Sequence, residues 1–78
     1  MKNYLEKLIT EKGMNAQDDI NIDGHIGFTY EMLFDFIESM PSRHERIKNT
    51  LINIDFKNGD VFHYLDYLAN GMIKTLGY

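Results

Sequence analysis

From Thr29 to the C-terminus the apolar residues recur every three or four positions, and this spacing constrains the fold more than any other feature of the chain. It is the period of an α-helix with one buried face, whereas a half-buried strand would alternate every second residue. Thr29 is placed to cap a helix running to about Met40, with Leu33, Phe36, Ile37 and Met40 as its buried stripe. Pro41 ends it, because a proline biases the residue before it away from αR. Ser42-Arg43-His44-Glu45 then reads as a capping box, in which hydroxyl and carboxylate satisfy free N–H groups reciprocally. The helix it opens turns Ile47, Leu51 and Ile54 inward and is expected to end near Lys57-Asn58-Gly59. Asp60 caps a last helix with Val61, Leu65, Leu68, Met72 and Leu76 as its expected core stripe.

Upstream, residues 2–12 place Tyr4, Leu5, Leu8 and Ile9 on one helical face, and Gly13 suits the C-terminal cap. Residues 14–28 have no helical period. There Ile20, Ile22, Ile26 and Phe28 alternate around Asp23-Gly24-His25. A small β-hairpin or extended turn at about 19–28 would pair Ile22 with Ile26 and Ile20 with Phe28 on one face. The expectation is a mostly all-α fold: residues 1–78 form one compact bundle of about four short helices.

A domain of 78 residues hides only about 60% of its unfolded surface, so its stability is marginal. Cysteine is absent, which removes disulfides and thiolate metal sites as staples. Homo-oligomerisation or partner binding remains as a way to cover apolar surface. Hydrophobic residues at 44% and aromatics at 13% are enough for a packed core. No apolar run exceeds three residues and the first residues lack the apolar stretch of a secretory signal, so no membrane association and a cytoplasmic location are expected. Net charge is −4, with eight acids against three lysines in residues 1–40 and five basic residues against four acids in residues 41–78. That balance disfavours direct nucleic-acid binding and suits a protein partner with a basic surface.

Asp19-x-Asn21-x-Asp23-Gly24 resembles the first half of an EF-hand calcium loop, in which alternate oxygens ligate and glycine makes the sharp turn. The bidentate Glu that closes such a loop is replaced by Tyr30, so an acidic turn is the better account. His25, His44 and His63 show no metal-ligand spacing and read as surface or capping histidines. No cofactor is implied. Ser39 and Ser42 flank Pro41 without a base presented to either, and no glycine-rich phosphate loop occurs. Enzymatic activity is not expected.

The last helix carries His63, Tyr64, Tyr67, Gly71 and Lys74 opposite its core stripe. A plain solvated face would be Lys, Glu and Gln. Two tyrosines one turn apart suit an interface, because each offers a large contact area with a polar end. The competing account packs this face inside the bundle against the first helix. Glu31, Asp35 and Glu38 form an acidic ridge on the helix after Thr29, either a solvated face neutralised by Arg43 and Arg46 or a line of carboxylates offered to a basic partner. Phe34 lies off the Leu33/Ile37 stripe and is an anchor candidate beside that ridge, unless it contacts the hairpin.

The reading these residues support is a non-catalytic protein-binding module, a small acidic inhibitor or regulator that occupies a partner's surface. Its Asn-, Ile- and Lys-rich composition is typical of AT-rich bacterial and phage genomes, which suggests a phage or bacterial accessory protein with an anti-defence role. The alternatives are a homo-oligomeric structural protein and a calcium- or small-ligand-binding module at Asp19, Asn21 and Asp23.

Overall fold

The computed structural model describes residues 1–20, 22, 24–54 and 60–77. Among these the chain forms four α-helices: α1 (Lys2–Glu11), α2 (Tyr30–Glu38), α3 (His44–Asn53) and α4 (Asp60–Leu76). A short 3₁₀ turn, Pro41–Arg43, leads into α3. The helical bundle expected from the apolar spacing is what forms.

α1 ends where the sequence places a glycine. The Gly13 N–H donates to the Thr10 carbonyl and the Met14 N–H to the Ile9 carbonyl, each at 3.0 Å. This pairing needs a left-handed residue, and Gly13 supplies it at φ 84°. The chain then turns back along the start of α2. The Ala16 and Asp18 carbonyls accept the Glu31 and Tyr30 N–H groups, and Thr29 Oγ1 accepts the Met32 N–H at 3.3 Å. Three N–H groups that the helix itself cannot satisfy are thus paired.

Among the described residues of 19–29 the chain makes two isolated bridges, Asp19 with Thr29 and Ile22 with His25. The Ile20 N–H donates to the Phe28 carbonyl at 2.6 Å, so the base keeps the expected register. Towards the tip it slips: three positions separate Asp19 from Ile22, but four separate His25 from Thr29. The extra residue makes a bulge on the returning side, where Gly27 adopts φ 86°. As a result Ile22 faces His25, not Ile26, and Ile26 is thrown out to 97% exposure while Ile20, Ile22 and Phe28 stay buried.

The capping box is not formed. Arg43 occupies the N-cap of α3, with no side-chain cap hydrogen bond. Pro41 starts a 3₁₀ turn in which the Arg43 N–H reaches the Met40 carbonyl at 3.0 Å, and this turn runs straight into the α-helix. The carbonyls of that turn take the place of the Ser42 hydroxyl. α3 also stops earlier than expected, at Asn53, because Ile54 is already extended at ψ 141°. The expected end near Lys57-Asn58-Gly59 lies outside the described residues, as does the Asp60 side chain.

α2 packs on α1 on one side and on α4 on the other. One core unites Leu5 and Ile9 of α1, Leu33, Phe34 and Ile37 of α2, Leu51 of α3, and Val61, Leu65 and Met72 of α4. Phe34 is fully buried, so it is a core residue and not a surface anchor. The buried stripe of α2 is Tyr30, Leu33, Phe34 and Ile37, rotated by roughly 60° from the expected one, with Phe36 and Met40 left at its edge, half-buried. α4 is rotated less: Ala69 and Ile73 join its core, Leu68 is half-buried, and Leu76 overshoots the bundle at 53% exposure. α4 keeps one face open: His63, Tyr67, Asn70, Gly71 and Lys74 are exposed along it.

Candidate partner-binding face on α4

The open face of α4 is the one bearing the tyrosines. His63, Gly71 and Lys74 are exposed, Tyr64 is half-buried and Tyr67 is 71% exposed. Most of this face is therefore not packed inside the bundle, while Tyr64 packs in part against the core. Tyr64 and Tyr67 stack on each other with ring centroids 6.2 Å apart and planes 16° from parallel. Each ring restrains the other, so less side-chain freedom is left to lose when a partner covers them. Around a Cβ built at Gly71 there is nothing within 4 Å. No packing among the described residues requires glycine there, although it weakens a helix interior by about 1 kcal/mol.

Beside the tyrosines a groove of about 740 Å³ separates α4 from the end of α2 and the start of α3. Buried Ile37, Ile47 and Met72 underlie it, with half-buried Phe36, Met40 and Leu68. Phe36, Met40 and Leu68 were expected in the core stripes. They reach the groove because both helices are rotated about their axes. Arg43 and Arg46 line one side and Lys74 lines the α4 side. Among the described residues no carboxylate lines the groove.

His44 shapes one end of this region. Its Nε2 donates to the Ile37 carbonyl at 2.8 Å, a group at the end of α2 that also accepts the Met40 N–H. His44 is thus a capping histidine that ties the start of α3 to the end of α2. His25 packs edge-on against Phe28, with centroids 5.8 Å apart, and His63 stays on the surface. The Ser39 hydroxyl is held by the Phe36 carbonyl at 2.6 Å.

The acidic ridge lies elsewhere, against α1. Lys2 Nζ sits 2.7 Å from Asp35 and 3.8 Å from Glu31, and Gln17 donates to Glu31. Glu38 accepts the Lys2 backbone N–H at 2.8 Å and pairs with the terminal amine at 3.2 Å. α1 has no capping side chain of its own, so Glu38 serves as one from a neighbouring helix. The backbone N–H of Lys2 and the terminal amine hold the Glu38 carboxyl below its ordinary value, and the Asp35 hydrogen bond raises the Lys2 ammonium. Arg43 and Arg46, the expected neutralisers, take no part, because they project from the far end of α2 onto the groove side.

Asp66 lies on the flank of α4 near Tyr30. Burial raises its carboxyl, an effect His63 opposes, and burial next to Asp66 and Asp18 raises the Tyr30 phenol. Of the calcium candidates, Asp19 is exposed and bridges to Thr29, while Asn21 and Asp23 lie outside the described residues. Asp18, just before them, accepts the Asn15 N–H at 2.8 Å within a tight local turn. Among the described residues no cluster of three histidines or carboxylates could hold a metal ion, and no helix is long and apolar enough to cross a membrane.

The signal for this face is in the sequence at Tyr64, Tyr67, Gly71 and Lys74. The opposite wall is harder to read, because Arg43 and Arg46 sit in what looks like a capping box beside an acidic ridge. No family model matches the chain, and neither a curated protein nor a solved structure matches it.

Proposed function

We propose that this chain is a non-catalytic protein-binding module, a small inhibitor or regulator that occupies a partner's surface with the outer face of α4. The observation that carries this reading is the stacked Tyr64–Tyr67 pair, in which Tyr64 leans on the core at its edge and Tyr67 stands 71% exposed. Large aromatic rings that the fold has not buried, ordered by their own contact, are what interface centres are made of. Gly71, one turn further on, leaves the helix backbone open to close approach. The chemistry for catalysis is thin: cysteine is absent and the Ser39 hydroxyl is engaged with backbone. Composition points to bacterial or phage proteins as the place to look for the partner.

The test is affinity capture from bacterial lysate with mass spectrometry, run with the wild type beside Tyr64→Ala/Tyr67→Ala. One stoichiometric partner, retained by the wild type and lost by a variant that still melts cooperatively, is the expected result. Retention by both proteins would remove the tyrosine face from the account.

A further inference from the structure

We infer that the groove beside α4 receives an acidic, amphipathic protein segment, whose carboxylates meet Arg43, Arg46 and Lys74. This names the partner chemistry for the face described above and rests on that reading; it replaces the basic partner expected from net charge, because the acidic ridge is engaged by Lys2 and the terminal amine. The chain has twelve acids and eight basic residues, yet among the described residues this groove is lined by three cations and no carboxylate. None of the three makes an ion pair among the described residues, whereas Lys2 on the other side bridges two carboxylates. An acidic chain that gathers three cations with no ion pair to them among its described residues presents a positive site in a chain of net −4, a pattern that selects its partner by sign.

The groove places two demands on an occupant. Arg43 and Arg46 stand three residues apart where the 3₁₀ turn enters α3, and guanidinium forks pair best with carboxylates. Between them and Lys74 lie Phe36, Met40 and Leu68, half-buried and apolar. A segment carrying Asp or Glu on its flanks and aliphatic or aromatic anchors between them satisfies both. A nucleic acid is a poorer fit, since its continuous phosphate charge would be repelled by the net −4 of the chain. A second copy is also poorer, because its acidic ridge is already engaged by Lys2 and the terminal amine.

The probe is a displayed random peptide library selected against the immobilised full chain. Enriched sequences should be net negative with apolar anchors at helical spacing. Arg43→Glu/Arg46→Glu should weaken them by about tenfold or more while melting like the wild type. Enrichment of basic or uncharged sequences, or of nothing, overturns the proposal. So do tight binding of a single-stranded oligonucleotide and self-association that Tyr67→Ala abolishes. Peptides lost on Tyr67→Ala but indifferent to the charge reversal would overturn the acidic occupant and leave the tyrosine face standing. Peptides indifferent to both would remove the face itself.

Discussion

On the α1 side of the molecule, Glu31, Asp35 and Glu38 are met by Lys2 and the terminal amine. On the α4 side, Arg43, Arg46 and Lys74 border a groove with no carboxylate among the described residues, and exposed Tyr67 stacks on half-buried Tyr64. Both regions stand out in the sequence as unusual helix faces. Only the structure separates them, by showing which one the fold has already used. The ridge contributes to folding: it caps α1 and pins its start to α2. The groove side contributes little that the fold requires, and so it is the region left available for a partner.

The widest gap between used and unused residues should appear on truncation. Phe34→Ala should destabilise by about 3–5 kcal/mol, because it empties a fully enclosed site in the single core. Tyr67→Ala, removing a ring of similar size from the open face, should stay within about 0.5 kcal/mol in the same denaturant titration. If the two variants melt alike, the comparison is broken.

A smaller effect belongs to the tie between the end of α2 and the start of α3. His44→Ala removes the donor to the Ile37 carbonyl and should lower stability by about 1 kcal/mol, read as a shift in denaturant midpoint at constant slope. Gly71→Ala should act the other way. Among the described residues nothing contacts a Cβ there, so the substitution should stabilise α4 by about 0.5–1 kcal/mol while weakening capture of the partner.

The smallest effect lies on the ridge and depends on pH. Glu38 is held below its ordinary value of 4.5, so its contribution is present above that pH and is lost as the pH falls through its folded value. Glu38→Gln should therefore melt slightly below the wild type at neutral pH and converge with it in acid. A gap that widens in acid would mean the Lys2 and terminal-amine contacts do not form in solution.

The helical bundle was legible because capping residues and apolar periods agree at Thr29, Gly13 and along α4. Rotation about each helix axis was not legible. α2 bears apolar residues around much of its circumference, and what decides burial is contact with both α1 and α4, which selects Tyr30 and Phe34 over Phe36 and Met40. The same ambiguity let Ala69 and Ile73 of α4 pass unnoticed. At the hairpin, alternation predicted the base pair Ile20–Phe28 correctly, but Gly27 permits a bulge that no period reveals, and Ile26 was misplaced by it. On the candidate site, the tyrosine face was legible because its composition departs from that of a solvated helix. The cationic wall was hidden because Arg43 and Arg46 had two local explanations, a cap and an ion pair, and the 3₁₀ turn at Pro41 defeats both.

Tyrosine nitration mapped by mass spectrometry, on the free chain and on its complex with the captured partner, tests the central claim most directly. The account predicts that Tyr67 is nitrated first in the free chain while buried Tyr30 resists, and that Tyr67 becomes protected in the complex. Nitration of Tyr67 at the same rate with and without the partner, or its protection in the free monomer, would contradict it.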